Sequence, residues 1–275
     1  MPEAYEVTLL RVGYCRAPER LSRRDGGLRP VAFPAGAALL RHPRHGSVLF
    51  DTGYGRAFFD ATAPFPERLY RWLTPVTFHA HESLANQLRA EQPDRIVLSH
   101  LHADHVAGLF DLAAPLPPVL ASAPAMAALK AGRLASLKAG LPEGLRDNLR
   151  AIPIAPIQAL PPVDLTPWDL AEFGTGFDLF GDQSALIVPL PGHGTGQVGL
   201  FVPHTSTGPT FLVADAAWGL SALRANSPPP RMTLARLGDA NAYLATFARL
   251  VALHRRAPHV RIVASHCPEN FPPHD

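Results

Sequence analysis

The segment Ile96–Gly108, IVLSHLHADHVAG, sets His100, His102, Asp104 and His105 within six positions, directly after a β-branched run. Imidazoles and carboxylates are donors for divalent cations, zinc among them. In an extended stretch His100 and His102 point the same way and can reach one ion, whereas Asp104 and His105 begin the next turn and face a neighbouring position. One loop therefore starts two sites. A catalytic zinc needs at least three protein donors and one open position, so further ligands must come from elsewhere in the chain. Three later apolar runs each end in a suitable side chain: Leu186–Leu190 leads to His193 in PLPGHGTG, Phe211–Ala214 to Asp215, and Ile262–Ser265 to His266.

The elements that must position these residues show in the periodicity. Alternating or short apolar runs predict strands at 5–12, 37–41, 48–50, 95–98, 185–190, 198–202, 210–213 and 260–264. Apolar residues at three and four spacing predict helices over Ser83–Gln92, with Ser83 as its cap, over Met126–Lys138 and over Thr233–Arg256. The strands fall into two clusters, one before about residue 120 and one after about 180. That order predicts an α/β sandwich of two sheets covered by helices, and the length allows one large domain or two small ones. The Pro-rich, partly helical stretch at about 122–180 is expected to lie outside the sheets as an insertion.

Composition narrows the classes. The chain has 275 residues, 47% of them hydrophobic, enough for a sizeable core. Its net charge of +2 is spread without a Lys/Arg block, which argues against nucleic acid and anionic membrane as partners. No stretch approaches 18 apolar residues, and the start of the chain is too acidic for a signal peptide, so a cytoplasmic protein is expected. Cys15 and Cys267 are then expected as reduced thiols.

The HxHxDH loop, the downstream PGH, the strand-terminal Asp215 and the strand-terminal His266, in that order, resemble the metallo-β-lactamase superfamily across almost the whole chain. The resemblance implies an αββα sandwich of two mixed sheets flanked by helices, a single domain over 1–275. It implies that His100, His102 and His193 bind one metal, that Asp104, His105 and His266 bind a second, and that Asp215 bridges them. Asp51 in VLFDTG would support the site from behind. Two zinc ions are expected, with iron, manganese or cobalt as alternatives for such donors. They would share a water acidified towards a pKa of about 7, and Asp104 would orient that nucleophile and pass a proton to the leaving oxygen.

Within the superfamily, PGHGTGQVGLFV, the tetrad Asp215–Trp218 and Ser265-His266-Cys267 resemble the N-acyl homoserine lactonases. Those enzymes usually carry Tyr three residues after the bridging Asp, where its hydroxyl assists the substrate carbonyl; Trp218 stands there, and an indole donates a hydrogen bond but is no acid. Many relatives read PGHTxGH, where this chain has Gly194 and Gln197. The expected activity is opening of a lactone or other carboxylic ester, on a small molecule with an apolar portion, with Asp104 and Trp218 at the reacting centre.

Thioester hydrolysis of the glyoxalase II type is the alternative, though the end NFPPHD lacks a basic glutathione-binding segment. A phosphodiesterase acting on nucleic acid would want a basic face, a flavodiiron protein Glu in place of His102, and a non-catalytic metal-binding protein a missing ligand. Phe58, Phe59, Phe65, Tyr70, Trp72 and Phe78 are candidates for an acyl groove, a lid or a homodimer interface. The other histidines, His42, His45, His79, His81, His204, His254, His259 and His274, match no motif and are expected to be structural or surface residues.

Overall fold

The computed structural model describes residues 3–89 and 91–273. The first sheet contains β1 (Glu6–Pro18), β2 (Pro30–His42), β3 (Gly46–Phe50), β4 (Val76–Thr77), β5 (Arg95–Val97), β6 (Val119–Ala121) and β7 (Ile154–Pro156), in the order β4-β1-β2-β3-β5-β6-β7. The second contains β8 (Pro162–Asp164), β9 (Thr175–Asp178), β10 (Leu186–Pro189), β11 (Val198–Val202), β12 (Thr210–Ala214) and β13 (Arg261–Ala264), in the order β13-β12-β11-β10-β9-β8. Both sheets are mixed: β3, β5, β6 and β7 run parallel, as do β12 and β13, and the other pairs are antiparallel.

Period-two alternation sorts the apolar side chains into layers. On the first sheet Leu39, Leu49 and Ile96 face helices, packing with Leu84, Leu88, Val106 and Leu145. Their neighbours Leu40, Val48, Phe50 and Val97 face the other sheet and meet Ile187, Leu200 and Leu212. On the second sheet Leu186, Val188 and Phe201 turn the opposite way, onto Tyr243, Phe247 and Leu250 of the helix Ala240–Arg256. The result is helix, sheet, sheet, helix.

That long helix forms where it does because Asp239 caps it, accepting from the N–H groups of Asn241 and Ala242 at 2.8 and 3.0 Å, and because its last turn is basic. The predicted helix over Thr233–Arg256 is broken: Arg231–Leu237 ends at Gly238 before Asp239 restarts the chain. Met126–Lys138 likewise divides into Ala123–Ala128 and Arg133–Lys138, separated at Gly132. Ser83 does cap its helix, its hydroxyl accepting from Asn86 at 3.3 Å, but that helix is only Leu84–Leu88.

The 122–180 stretch departs most from expectation. It is not outside the sheets: β7 is one edge of the first, and β8 and β9 lead to the edge of the second. Edge strands tolerate the prolines that begin β8 and end β7, since an edge leaves one side of the ladder unpaired.

Candidate metal centre

β10 and β12 run in the same direction because each is antiparallel to β11, and β13 is parallel to β12. Their carboxyl ends therefore open at one edge of the second sheet. His193, Asp215 and His266 follow those three ends. In the first sheet, the parallel pair β3 and β5 delivers Asp51 and the His100–His105 loop to the facing edge. The backbone ties the loop across the sandwich, with the Val198 N–H donating to the Ser99 carbonyl at 2.9 Å.

The donor atoms converge as two groups. His100, His102, His193 and Asp215 present ligand atoms within 4.8 Å of one another, and so do Asp104, His105 and His266. Asp215 Oδ2 lies 3.0 Å from His193 Nε2 and 2.9 Å from His266 Nε2, and its Oδ1 lies 3.2 Å from His105 Nε2. That places the Asp215 carboxylate between the two groups. Among the described residues the buried His100 Nε2 has no hydrogen-bond partner, and His105 Nε2 and Asp215 Oδ1 face each other at 3.2 Å without a well-formed hydrogen bond, all within the cluster. Buried polar atoms are rarely left unpaired, and a pair of divalent cations would satisfy these. Donor chemistry, convergence and orphaned atoms all fit such ions.

The outward nitrogens of His100, His105 and His266 are held. Asp51 Oδ2 meets His105 Nδ1 at 2.8 Å and accepts from the Ser99 hydroxyl at 2.7 Å, while Asp51 Oδ1 accepts from the Ser99 N–H at 2.7 Å. The Ser99 hydroxyl also meets His100 Nδ1 at 3.0 Å, and His266 Nδ1 donates to the Pro34 carbonyl at 2.7 Å. Such contacts fix ring orientation and leave each Nε2 free to face a metal. Asp51 adopts the left-handed region, with φ of 58°, to make them. Thr52 anchors the other side, its N–H and hydroxyl both donating to the His105 carbonyl.

Electrostatics point the same way. Burial lowers the pKa of His100 and of His102, helped by the neighbouring imidazoles. Against the same burial, the Asp215 carboxylate raises His105 well above the usual imidazole value and holds His266 at about 9. Asp215 itself is held low by His266, His105 and His193 despite its burial. The Asp215 carboxylate thus favours the protonated forms of His105 and His266 against their burial, the balance of a site that suits positive charge.

The two departures in the PGHGTGQ loop have local reasons. A Cβ on Gly194 would stand 2.6 Å from His100 Cδ2, so the glycine lets the loop lie on that imidazole. Gln197 is buried and turns inward, its Nε2 donating to the Leu190 carbonyl at 3.2 Å to close the loop.

The cluster opens into a cavity of about 470 Å³ whose lining includes His102, Asp104, His193, Asp215 and His266. Its remaining wall is largely apolar: Phe33, Leu21, Leu73, Met232 and Trp218, with the Cys15 thiol, which burial pushes up to about 12. The Trp218 indole stands edge-on to His193 and to His266, each with ring centroids 5.7 Å apart, and its buried N–H has no partner among the described residues.

Of the six aromatics singled out between 58 and 78, Tyr70 reaches this cavity. Phe58 is core, Phe59 and Phe78 pack against the core, and Phe65 and Trp72 are exposed. Sequence reasoning missed Cys15, Tyr54 and the 231–237 helix as cavity walls; only the position of Tyr54, just after Asp51-Thr52-Gly53, hinted at it. Cys15 and Cys267 are both free and buried, and Cys267 Sγ accepts from the Leu220 N–H. The remaining histidines join neither donor group among the described residues: His42 meets the Glu3 carbonyl, His45 meets Asp182, and His79 stacks on His81. His274 lies outside the described residues.

A profile of the metallo-beta-lactamase superfamily matches residues 33–257. The chain belongs to that superfamily. It is a hydrolase of the metal-dependent kind its members represent. No curated protein matches it in a sequence search. Solved structures with the same fold include an N-acyl homoserine lactone hydrolase with N-hexanoyl-L-homoserine bound at its catalytic metal center, at a TM-score of 0.68 and 16% identity over 98% of this chain and 96% of that one. A mutant of AiiA from B. thuringiensis with N-decanoyl-L-homoserine at its active site aligns at a TM-score of 0.67 and 16% identity over 98% and 96%. The dizinc quorum-quenching lactonase AidC aligns at a TM-score of 0.59 and 17% identity over 98% and 90%. No helix among the described residues is long and apolar enough to cross a membrane.

Proposed function

We propose that this superfamily member opens a lactone or another carboxylic ester with an apolar acyl portion, in the manner of the N-acyl homoserine lactonases. The observation that carries the reading is the opening of the His/Asp cluster onto a cavity with an otherwise largely apolar wall. Two cations, zinc in first place, would be held by His100, His102 and His193 and by Asp104, His105 and His266, with Asp215 between them. When bound they supply Lewis acidity at the substrate oxygen and a water acid enough to attack near neutral pH.

The protein residues do the rest. Asp104, beside His105 and His266 yet reaching the cavity, is placed to take a proton from the attacking water and return it to the leaving oxygen. Trp218 lines the same cavity, and its buried N–H, without a partner among the described residues, is the proposed donor for a carbonyl oxygen. Phe33, Leu21, Leu73 and Met232 take the acyl portion and exclude water, which strengthens each polar contact inside. On this reading residues 1–275 act as one domain, with the 122–180 stretch contributing strands to its sheets. The free thiols of Cys15 and Cys267 fit a reducing, cytoplasmic setting.

The test is a panel: acyl homoserine lactones, simple lactones, a glutathione thioester and a phosphodiester, offered to zinc-loaded protein at neutral pH. Lactone turnover that disappears in His102→Ala supports the reading. Turnover confined to the thioester or the phosphodiester overturns it.

A further inference from the structure

Trp218 supplies an N–H and no hydroxyl, and the residues that follow it, Gly219 and Leu220, carry none. Hydroxyls come to the cavity from elsewhere: Tyr54, Tyr70, Thr74 and Thr233 line it. Tyr54 is fully buried, its phenol engaged with the Cys15 thiol and its ring edge-on to Phe58 at 5.0 Å, so it belongs to the wall. Tyr70 differs: its hydroxyl makes no hydrogen bond to any of the described residues.

We propose that Tyr70 is a catalytic residue whose hydroxyl donates a hydrogen bond to the reacting oxygen of the substrate, complementing the Trp218 N–H from the other half of the chain. The proposal rests on the ester-opening function above.

The helix that carries the phenol is tied to its surroundings at two points. The ring of Tyr70 stands edge-on to the buried ring of Phe58, with centroids 5.7 Å apart at 88°. Its N–H donates to the Glu67 carbonyl, and the buried Glu67 carboxylate accepts from Arg133 Nε and Nη2 at 2.8 and 2.7 Å, pinning the start of the helix Arg68–Leu73. A donor already in place needs no reorganisation as charge develops on the substrate oxygen, and that is where such donors contribute most. Burial, then the charges of Asp104, Cys15 and Asp215, hold the phenol well above its usual pKa, so it remains a donor across the working pH range.

The experiment compares the zinc-loaded full chain with Tyr70→Phe on whichever ester or lactone the wild type turns over. A fall in kcat/KM of about 100-fold, carried mainly by kcat, is expected, because an oxyanion donor acts in the transition state. Zinc content and Tm should stay unchanged, and Tyr70→Gln, which keeps an N–H donor, should recover part of the loss. A second readout is independent of turnover: binding of an alkyl phosphonate monoanion should perturb tyrosine absorbance in the wild type and not in Tyr70→Phe. Activity of Tyr70→Phe within about twofold of wild type, or a perturbation that is absent from the wild type or persists in the variant, overturns the proposal. If lactones fail but another ester is hydrolysed, the lactone reading falls while the Tyr70 comparison proceeds on that ester; if no ester is turned over, the phosphonate arm still decides.

Discussion

The floor and the rim of the cavity are built on opposite principles. On the floor most imidazoles have an outward partner: Asp51 and Ser99 hold His105 and His100, the Pro34 carbonyl holds His266, and β3, β5, β10, β12 and β13 bring the donors in. At the rim, Leu21, Leu73 and Met232 come from three separate segments, and all three are exposed, Leu73 and Met232 at 81% and 75%. Strand ends set the chemistry, while short helical segments shape what enters. Substitutions on the floor should therefore strike rate and metal affinity, and those at the rim substrate choice.

The largest effect is expected at Asp104. Asp104→Asn should lower kcat by about 1,000-fold or more with a far smaller change in KM, measured by steady-state kinetics on the substrate the panel identifies. A loss confined to KM would move Asp104 from chemistry to binding. Behind the floor, Asp51→Ala should weaken zinc affinity about 10- to 100-fold, read by competition with a chelator. Gly194→Ala should cost about 1–3 kcal/mol of stability, because the new Cβ meets His100, and denaturant unfolding measures it. At the rim, Leu73→Ser should raise KM for long acyl chains several-fold and leave short-chain substrates nearly unchanged, since removed apolar contacts discriminate only modestly.

The pH response of the floor has a definite sign. In the ion-free protein His266 is raised from 6.5 to about 9, so the stabilisation it draws from Asp215 is complete below about pH 6.5 and is lost as pH rises through about 9. Zinc must displace that proton. Zinc binding at pH 7 should release protons into an indicator dye, and the share from His266 should fade above pH 9. Equal release at pH 7 and pH 10 would contradict this.

The same contrast explains what the sequence discloses. Cluster residues are legible because each follows an apolar run, and four of them sit in one six-residue loop. The two-sheet architecture is legible for the same reason, since Leu39/Leu40 and Leu186/Ile187 alternate between layers. β7, β8 and β9 were hidden because each has only three or four residues, two of them include proline, and their place is set by the sheet edge they join. Gly132 and Gly238 divide helices that apolar spacing alone runs together. Tyr70 shows no distinguishing pattern among Phe58, Phe59, Phe65, Trp72 and Phe78, because its place at the cavity depends on the distant pair Glu67 and Arg133.

The most direct test of the central claim is a titration of ion-free protein with zinc, following lactone hydrolysis at each step. Turnover that is absent without metal and reaches its plateau at two zinc ions per chain is the predicted result. Full lactone turnover in the metal-free protein, or none at saturating zinc, would contradict it.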